Sequence, residues 1–389
     1  MAKVDLDGTA FIETLDEKHI LPSLSPVVVA LIDLAAKDDS SIGQMADLIT
    51  KDPALTARML KLANSAFYQS RYPAGTALQA VSRIGVHQTR LFALSISLKD
   101  AFPLKKGGPL DYGQFWRLCI YQGLLARWLA HALKAGDAEE AFTAGLTLEI
   151  GLLVLVRACA DDATVYLDYP LPSLLIKEKE LYGVNHRQIG EALLRSWRFP
   201  EQFVACQQSF TFRENLSELS PLARICAIAG ELSTFICEPR TDLDQLFFTI
   251  EAFFGINKSI VIDAVGSAME QVCEMAEPFD VDIDTGNDVI ELMEKANRAL
   301  TRLASTVLEC TPAKGLPESN KSDESRLARD TARAAPKGVT HDIRNRLTAV
   351  ERFARRLSRS IDPASREGTY VRVIMSETQR LEQALQGVR

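Results

Sequence analysis

The side chain in this sequence best suited to carry a phosphoryl group is His341. Asp342 follows it directly, and Arg344, Asn345 and Thr348 come three, four and seven residues later, on the same face of a helix with about 3.6 residues per turn. A neutral imidazole nitrogen can attack a phosphoryl group, and neighbouring cations and hydrogen-bond donors can then hold the added charge. These residues form a candidate phosphoacceptor site.

The elements that position such side chains are predicted to be helices. Apolar residues recur three or four positions apart, and the alternation expected of strands is absent. In KDPALTARMLKLANSAFY, Asp52 is a natural N-cap and Pro53 suits the first helical position. Asn64 and Ser65 follow the end of that helix, where capping and turn hydrogen bonds are favoured over a ligand pocket. The sequence therefore predicts an all-α protein.

The segment after His341 predicts a helical hairpin with an apolar seam. Two runs of seam residues are spaced alternately three and four apart, as in a coiled coil: Ile343, Leu347, Val350, Ala354, Leu357 and Ile361, then Val371, Ile374, Thr378, Leu381, Leu385 and Val388. A lone hairpin leaves half of this seam in water, so two copies are expected to pair into a four-helix bundle. The pattern predicts a homodimer through residues 339–389.

Composition separates this hairpin from the rest of the chain. Residues 311–338 are rich in Pro, Gly, Ser and charge, which is typical of a flexible linker. Residues 311–389 hold 16 basic and 10 acidic residues, a net charge of +6. Because the whole chain has a net charge of −7, residues 1–310 carry −13. An acidic body makes nucleic-acid binding an unfavoured function.

Cysteine usage and hydropathy predict the location. The seven cysteines are odd in number and form no C-x-x-C pair, which favours reduced thiols. No apolar run is long enough to span a bilayer, and the N-terminal residues lack the pattern of a secretory signal. We expect a cytoplasmic protein without membrane insertion.

Three long stretches resemble the conserved segments of HDOD domains: LPSLSPVVVALIDLA, SIGQMADLITKDPALTARMLKLANSAFY and TALQAVSRIGVHQTRLFALSISL. The matching motifs include Asp52-Pro53 and Asn64-Ser65. The resemblance covers residues 18–215, after an N-terminal segment at 1–17, and weaker family-like helices extend it through 216–310. It implies two packed all-α lobes, the second derived from metal-dependent HD phosphohydrolases.

The resemblance also shows where a catalytic relative would hold its metal. Such hydrolysis needs His and Asp side chains around a divalent ion that activates water. Where a catalytic relative reads G-L-L-H-D-I-G, this chain reads G-L-T-L-E-I-G, so Leu148 replaces the His and Glu149 replaces the Asp. His186 is retained at a family position, and Gln207 begins a Gln-Gln pair where relatives often have two histidines. These departures predict no metal, no cofactor and no enzymatic activity.

From the residues alone, His186 and Glu149 have modest expected roles. His186 lies near a predicted helix start, where its ring nitrogens would act as a local cap. Glu149 is expected to bond to a neighbour or to face solvent.

The C-terminal run H-D-I-R-N-R-L-T-A-V resembles the phosphoacceptor segment of histidine-kinase dimerisation domains. His341, Asp342, Arg344, Asn345 and Thr348 match, whereas Arg346 stands where a Pro is usual. No ATP-binding domain follows in the sequence, so another kinase or a receiver domain would have to supply phosphate. The alternative is a hairpin kept for dimerisation with His341 merely exposed.

The function predicted from these features is that of a non-catalytic signalling adaptor. Its HDOD-like body would bind a partner or small ligand, and its hairpin would dimerise and relay phosphate through His341. Two alternatives are a degenerate metal-dependent phosphohydrolase and a regulator that binds nucleic acid through the basic residues 311–389.

Overall fold

The computed structural model describes residues 26–35, 41–65, 68, 72–101, 110–158, 171–208, 219–239, 241–310 and 344–386. These residues form helices, turns and loops without a β-strand, so the predicted all-α fold is confirmed. Contacts divide the chain into two compact units. The first unit is Met1–Glu238 with Ser267–Ile283, and the second unit is Pro239–Gly266 with Asp284–Arg389.

The described residues of the first unit before Glu238 form a series of helices. They are α1 (Pro26–Ala35), α2 (Ile42–Thr50), α3 (Pro53–Asn64), α4 (Ala77–Ile84), α5 (Val86–Ala101), α6 (Tyr112–Leu133), α7 (Ala138–Leu146), α8 (Ile150–Ala158), α9 (Leu171–Tyr182), α10 (His186–Ser196), α11 (Glu201–Ala205) and α12 (Pro221–Cys237). Helix α6 packs closely against α7 and α12, and α8 packs against α10. The candidate site lies among α6, α9 and α10 and the turn between α7 and α8.

Local capping chemistry starts and stops these helices as the sequence predicts. The Asp52 carboxylate accepts from the backbone N–H groups of Ala54 and Leu55 at 3.0 and 3.1 Å, and Pro53 occupies the first turn of α3. At the end of α3, the Asn64 amide both donates to the Ala74 carbonyl oxygen and accepts from the Ala74 N–H. The Asp52 and Asn64 side chains are thus committed to backbone hydrogen bonds.

Close backbone contact between α8 and α10 depends on Gly151. A Cβ atom at this position would lie 1.9 Å from the carbonyl oxygen of His186 and 2.5 Å from the backbone nitrogen of Gly190. Real atoms never approach so closely, so residue 151 must lack a side chain. The two helices are therefore held at a separation that brings Glu149 to His186.

One helical stretch, Ala138–Ala158, is long and apolar enough to cross a membrane by length and composition. It combines α7, a turn and α8, and 89 % of its apolar window is buried inside the protein. The stretches Leu243–Phe254 and Lys258–Phe279 pass the same test only if they are joined across their bend. A buried stretch of this kind is typical of a core element.

The second unit contains the C-terminal hairpin. Its helices are α13 (Leu243–Phe254), the first residues of α14 (Lys258–Ala276), α15 (Thr285–Cys310), α16 (344–357) and α17 (Arg366–Gln386). Helix α17 packs against α15. Arg356 of α16 reaches the backbone at Gly266 and lies 4.0 Å from Asp263. The hairpin therefore packs on helices of its own chain.

This packing changes the interpretation of the seam. The described seam side chains that are buried within one chain are Leu347, Val350, Ala354, Leu357, Val371, Ile374, Thr378 and Leu381. The prediction of a homodimer started from a seam left in water, and that premise does not hold. The compact units divide 216–310 between them, and 344–386 shares a unit with 239–266 and 284–310. The predicted domain boundaries stay a prediction.

Candidate functional site

The candidate site is a cluster of buried polar side chains in the first unit. Glu149 lies in the turn between α7 and α8, Gln122 on α6, and Glu178 on α9. His186 is the first residue of α10, which begins there because Asn185 caps the helix by accepting from the Gln188 N–H. Glu149, Gln122, Glu178 and His186 are each at most 2 % exposed.

The ring of His186 bridges two carboxylates. Its Nε2 lies 2.8 Å from Oε2 of Glu149, and its Nδ1 lies 2.6 Å from Oε2 of Glu178. The same Glu178 oxygen also accepts from the backbone N–H of His186 at 2.8 Å. Because an ionised carboxylate can only accept, both ring nitrogens must donate, and the side chain is an imidazolium cation.

Glu149 is held by donors on both of its oxygens. Arg187 donates from Nη2 to Oε1 at 2.6 Å and from Nε to Oε2 at 3.2 Å, as a two-pronged contact. The amide nitrogen of Gln122 donates to Oε1 at 2.9 Å, and His186 contacts Oε2. Each Glu149 oxygen therefore accepts from two protein donors, and most of its hydrogen-bonding capacity is used.

The charges in this network balance. Burial by itself lowers the pKa of His186, but the charge of Glu178 and hydrogen bonds to Glu149 and Glu178 raise it to about 9. Burial likewise raises the pKa of Glu149, but the charge of Arg187 and the bond from His186 lower it to about 2. Two anions and two cations, each hydrogen-bonded, make a neutral buried cluster at neutral pH.

Three oxygen atoms around this network have no donor in the part of the chain that the structure describes. They are Oε1 of Gln122, Oε1 of Glu178 and Oε1 of Gln207. Both amide orientations are fixed, because the nitrogen of Gln122 faces a carboxylate and that of Gln207 donates to the Thr147 carbonyl oxygen at 2.9 Å. The site thus has three buried acceptor atoms without a donor among the described residues.

The positions that would carry a metal in a catalytic relative have other tasks here. Leu148 is 1 % exposed and belongs to an apolar cluster with Phe199 and Phe203. Near these positions, Cys119 of α6 is fully buried, and burial together with the charge of Glu149 raises the pKa of its thiol. Gln207 supports the turn before Glu149 through Thr147.

These residues do not fit a divalent metal. His186 has no free lone pair because both ring nitrogens donate, Leu148 has none to offer, and Glu149 already accepts from two donors at each oxygen. Among the described residues, no group of three or more His, Cys, Asp or Glu side chains could hold a metal ion. The arrangement neutralises charge and joins α6, α9 and α10 to the turn before α8.

The structure bears on the expectations for Glu149 and His186. Of the two alternatives for Glu149 the bonded one holds, since this side chain is 2 % exposed and bonded to three side chains and does not face solvent. His186 has a structural role, but it is not a local cap, because Asn185 takes that position and the histidine ring joins distant segments. Its partner Glu178 is eight residues away, on another helix.

The sequence interpretation missed the main partners of these two residues. Arg187 directly follows His186, so its position in N-H-R-Q could have suggested a second cation beside the carboxylate. Gln122 and Glu178 carry no comparable signal, because each lies on a separate helix. Their roles depend on contacts between distant segments.

The remaining predicted site residues fall into two groups. Ser65 donates to the carbonyl oxygen of Leu62 at 2.8 Å and so has a turn role like Asn64. In the candidate phosphoacceptor segment, His341 and Asp342 lie outside the described residues, whereas Arg344 and Asn345 are exposed on α16 and Thr348 is half-buried. The phosphoacceptor site stays a prediction.

Comparison with protein-family models matches residues 21–210 to the HDOD domain. Among solved structures, a putative phosphohydrolase from Shewanella amazonensis SB2B has a TM-score of 0.54 at 26 % identity, covering 69 % of this chain and 97 % of that one. An HDOD domain protein from Geobacter sulfurreducens has a TM-score of 0.53 at 20 % identity, covering 68 % and 97 %.

Two further relatives are similar over part of their length. A putative signal transduction protein from Marinobacter aquaeolei VT8 has a TM-score of 0.53 at 19 % identity, covering 69 % of this chain and 61 % of that one. An uncharacterised protein from Treponema pallidum is 24 % identical over 258 residues, or 61 % of this chain. The chain spans about half of that relative, since the match covers 46 % of it.

Proposed function

Residues 21–210 form an HDOD domain, and from this premise we propose that the chain is a signal-transduction protein that recognises a partner and does not hydrolyse phosphoesters. The similar structures are described both as phosphohydrolases and as a signal transduction protein, so the family alone leaves both functions open. The chemistry of the polar cluster favours recognition.

The observation that supports this proposal is the hydrogen bonding of the Glu149 carboxylate. It is the carboxylate that stands in the place of a metal-binding Asp, and Arg187, His186 and Gln122 already donate to both of its oxygens. A divalent ion would have to displace a guanidinium and an imidazolium from a buried carboxylate. Without such an ion, nothing in the cluster lowers the pKa of a water molecule toward neutrality.

The surface of the domain supports binding. Large apolar side chains are exposed on helices or loops of the first unit, including Tyr72 at 79 %, Leu78 at 51 % and Ile42 at 42 %. Arg83 holds the backbone of Tyr72 by donating to its carbonyl oxygen at 2.5 Å. These exposed apolar side chains would gain free energy by burial against a partner.

Metal content and hydrolysis test the non-catalytic part of the proposal. The purified chain is incubated with Mn²⁺, Fe²⁺ or Zn²⁺, desalted, and analysed by mass spectrometry for bound metal. Hydrolysis of bis-p-nitrophenyl phosphate is measured in parallel. We expect far less than one metal per chain and no turnover above buffer. One tightly held ion with turnover that Glu149→Gln abolishes would refute the proposal.

The second part of the proposal is that α16 presents a phosphoacceptor face. The supporting observation is a set of exposed arginines, Arg344, Arg352 and Arg355 on α16 and Arg359 in the 3-10 turn that follows it. Guanidinium groups at this spacing could hold phosphate or the acidic surface of a receiver domain. Arg346, at the position where a Pro is usual, instead lies 4.0 Å from Asp244 of the second unit.

Radiolabelled phosphate transfer tests this second part. The chain is mixed with candidate histidine kinases or phosphorylated receiver domains, and His341→Ala is compared with His131→Ala, a matched change at an exposed histidine of the first unit. We expect label on the wild type and on His131→Ala but not on His341→Ala. Equal labelling of all three chains would remove the phosphoacceptor role and leave partner recognition by the HDOD domain untouched.

A further inference from the structure

We infer that the guanidinium of Arg187 takes the place of the divalent cation in this domain, so that a covalently attached positive charge does the structural work of a metal ion. The HDOD fold is related to metal-dependent enzymes, yet the ligand set does not fit a metal. This inference concerns how the domain is held together, and it stands independently of any partner.

Arg187 contacts both oxygens of the Glu149 carboxylate, as a bound cation would. Two nitrogens of its planar group face the two oxygens of Glu149, at 2.6 and 3.2 Å. Planar two-pronged contacts of this kind are a property of arginine that a lysine ammonium cannot reproduce. Because Arg187 follows His186 on α10, it also ties the start of that helix to the turn before α8.

The charges explain why a cation is needed at this place. Glu149 and Glu178 bring two negative charges into a region where each is at most 2 % exposed, and His186 neutralises one of them. Without Arg187, one carboxylate charge would remain buried and uncompensated, which is strongly unfavourable.

The acceptors that have no donor point to the same conclusion. Oε1 of Gln122, of Glu178 and of Gln207 are buried oxygens without a donor among the described residues. Oxygen atoms around a carboxylate are what a hard divalent cation prefers as ligands. The Arg187 side chain is 14 % exposed, so its removal would open this oxygen-rich cluster to ions from solvent.

Removal of the guanidinium tests the inference. Arg187→Ala should lower Tm by about 10 °C, and about 10 mM methylguanidinium, or Mn²⁺, should restore much of that loss by binding the folded state. Isothermal titration should show one Mn²⁺ per chain in this variant and none in the wild type. Adding Glu149→Gln to Arg187→Ala should abolish both the rescue and the Mn²⁺ binding.

Arg195→Ala is the matched control. Arg195 lies on the same helix and also contacts both oxygens of a carboxylate, that of Glu201, but at a half-exposed position. Its removal should change Tm little, and neither ion should have a specific effect. A folded Arg187→Ala chain that neither ion stabilises would overturn the inference.

A second pair of variants decides the matter if Arg187→Ala does not fold. Arg187→Lys keeps a positive charge, whereas Arg187→Met keeps a comparable apolar stem without charge. The inference requires that Lys retain more thermal stability than Met and that Mn²⁺ stabilise Met alone. Equal losses in both variants, with no ion effect, would show that packing and not charge is the contribution of Arg187.

Discussion

The protonation state of His186 makes a quantitative prediction about stability and pH. In the folded chain its pKa is about 9, against an ordinary value of 6.5, because Glu178 and Glu149 both bind the protonated ring. A histidine whose pKa is raised on folding stabilises the protein fully below the unfolded value. That contribution is lost as pH rises through the folded value. The window of loss is therefore about pH 6.5 to 9.

The magnitude follows from proton linkage. Between these pH values the folded chain holds one proton more than the unfolded chain at this site, so the free energy of unfolding falls by about 1.4 kcal/mol per pH unit. Across the whole window this amounts to on the order of 3 kcal/mol from His186 alone. The ring is fully buried, so solvent screening does not reduce the effect.

Urea unfolding at a series of pH values measures this slope. The three tryptophans, Trp116, Trp128 and Trp197, all lie in the first unit, so their fluorescence reports on the unit that contains His186. Wild type and His186→Gln are compared at pH 6, 7, 8 and 9 in the same buffers. The difference between the two curves isolates the contribution of His186 from other groups that titrate.

Nuclear magnetic resonance of ¹⁵N-labelled histidine gives an independent measurement. At about pH 7.5 the two ring nitrogens of His186 should both show the chemical shifts of an imidazolium, since both donate to carboxylates. Parallel stability curves for wild type and His186→Gln, together with one unprotonated ring nitrogen at this pH, would refute the charged bridge. The same result would refute the conclusion that Glu149 is ionised and accepts from two donors at each oxygen.

Three further perturbations test packing near and beyond the site. Gly151→Ala should destabilise the first unit by more than about 4 kcal/mol, since its Cβ would lie 1.9 Å from the backbone of α10. Gly230→Ala, which would meet nothing within 4 Å, should instead stabilise α12 by up to about 1 kcal/mol, and similar Tm values for the two would contradict the close contact. Asn64→Ala should cost about 2 kcal/mol in urea unfolding because two backbone groups lose their partner; an unchanged midpoint would show that the bridge does not form in solution. Phe353→Ala should cost about 3–5 kcal/mol without changing the mass measured by light scattering, whereas Val373→Ala, at a 59 % exposed position, should change stability by less than about 0.5 kcal/mol; a fall in mass with the first variant would favour the predicted dimer.

Features that depend on neighbouring residues could be predicted from the sequence. Asp52 and Pro53 begin a helix where expected because capping and the fixed backbone angle of proline act within one turn. The sequence also showed that position 148 is a leucine and not a histidine. A leucine side chain has no atom that can bind a metal, so this conclusion did not require the structure. The all-α class follows from apolar spacing that repeats along the whole chain.

The hairpin shows where a local pattern becomes insufficient. The spacing of its apolar residues correctly predicted that positions such as Leu347 and Ile374 are buried. It could not say what buries them, because a seam of that spacing packs equally well on a second copy or on helices of its own chain. The contact between α17 and α15 was decided by tertiary structure.

The hydrogen-bond network around Glu149 was decided entirely by tertiary structure. Gln122, Glu178 and His186 lie 27, 29 and 37 positions from Glu149 in the sequence and on separate helices. The approach of α10 to α8 depends on the missing side chain at Gly151. The charge of a buried group is set by the donors and acceptors within a few ångströms of it. The sequence determined that Leu148 cannot bind a metal, and the fold determined that a guanidinium and an imidazolium contact the Glu149 carboxylate.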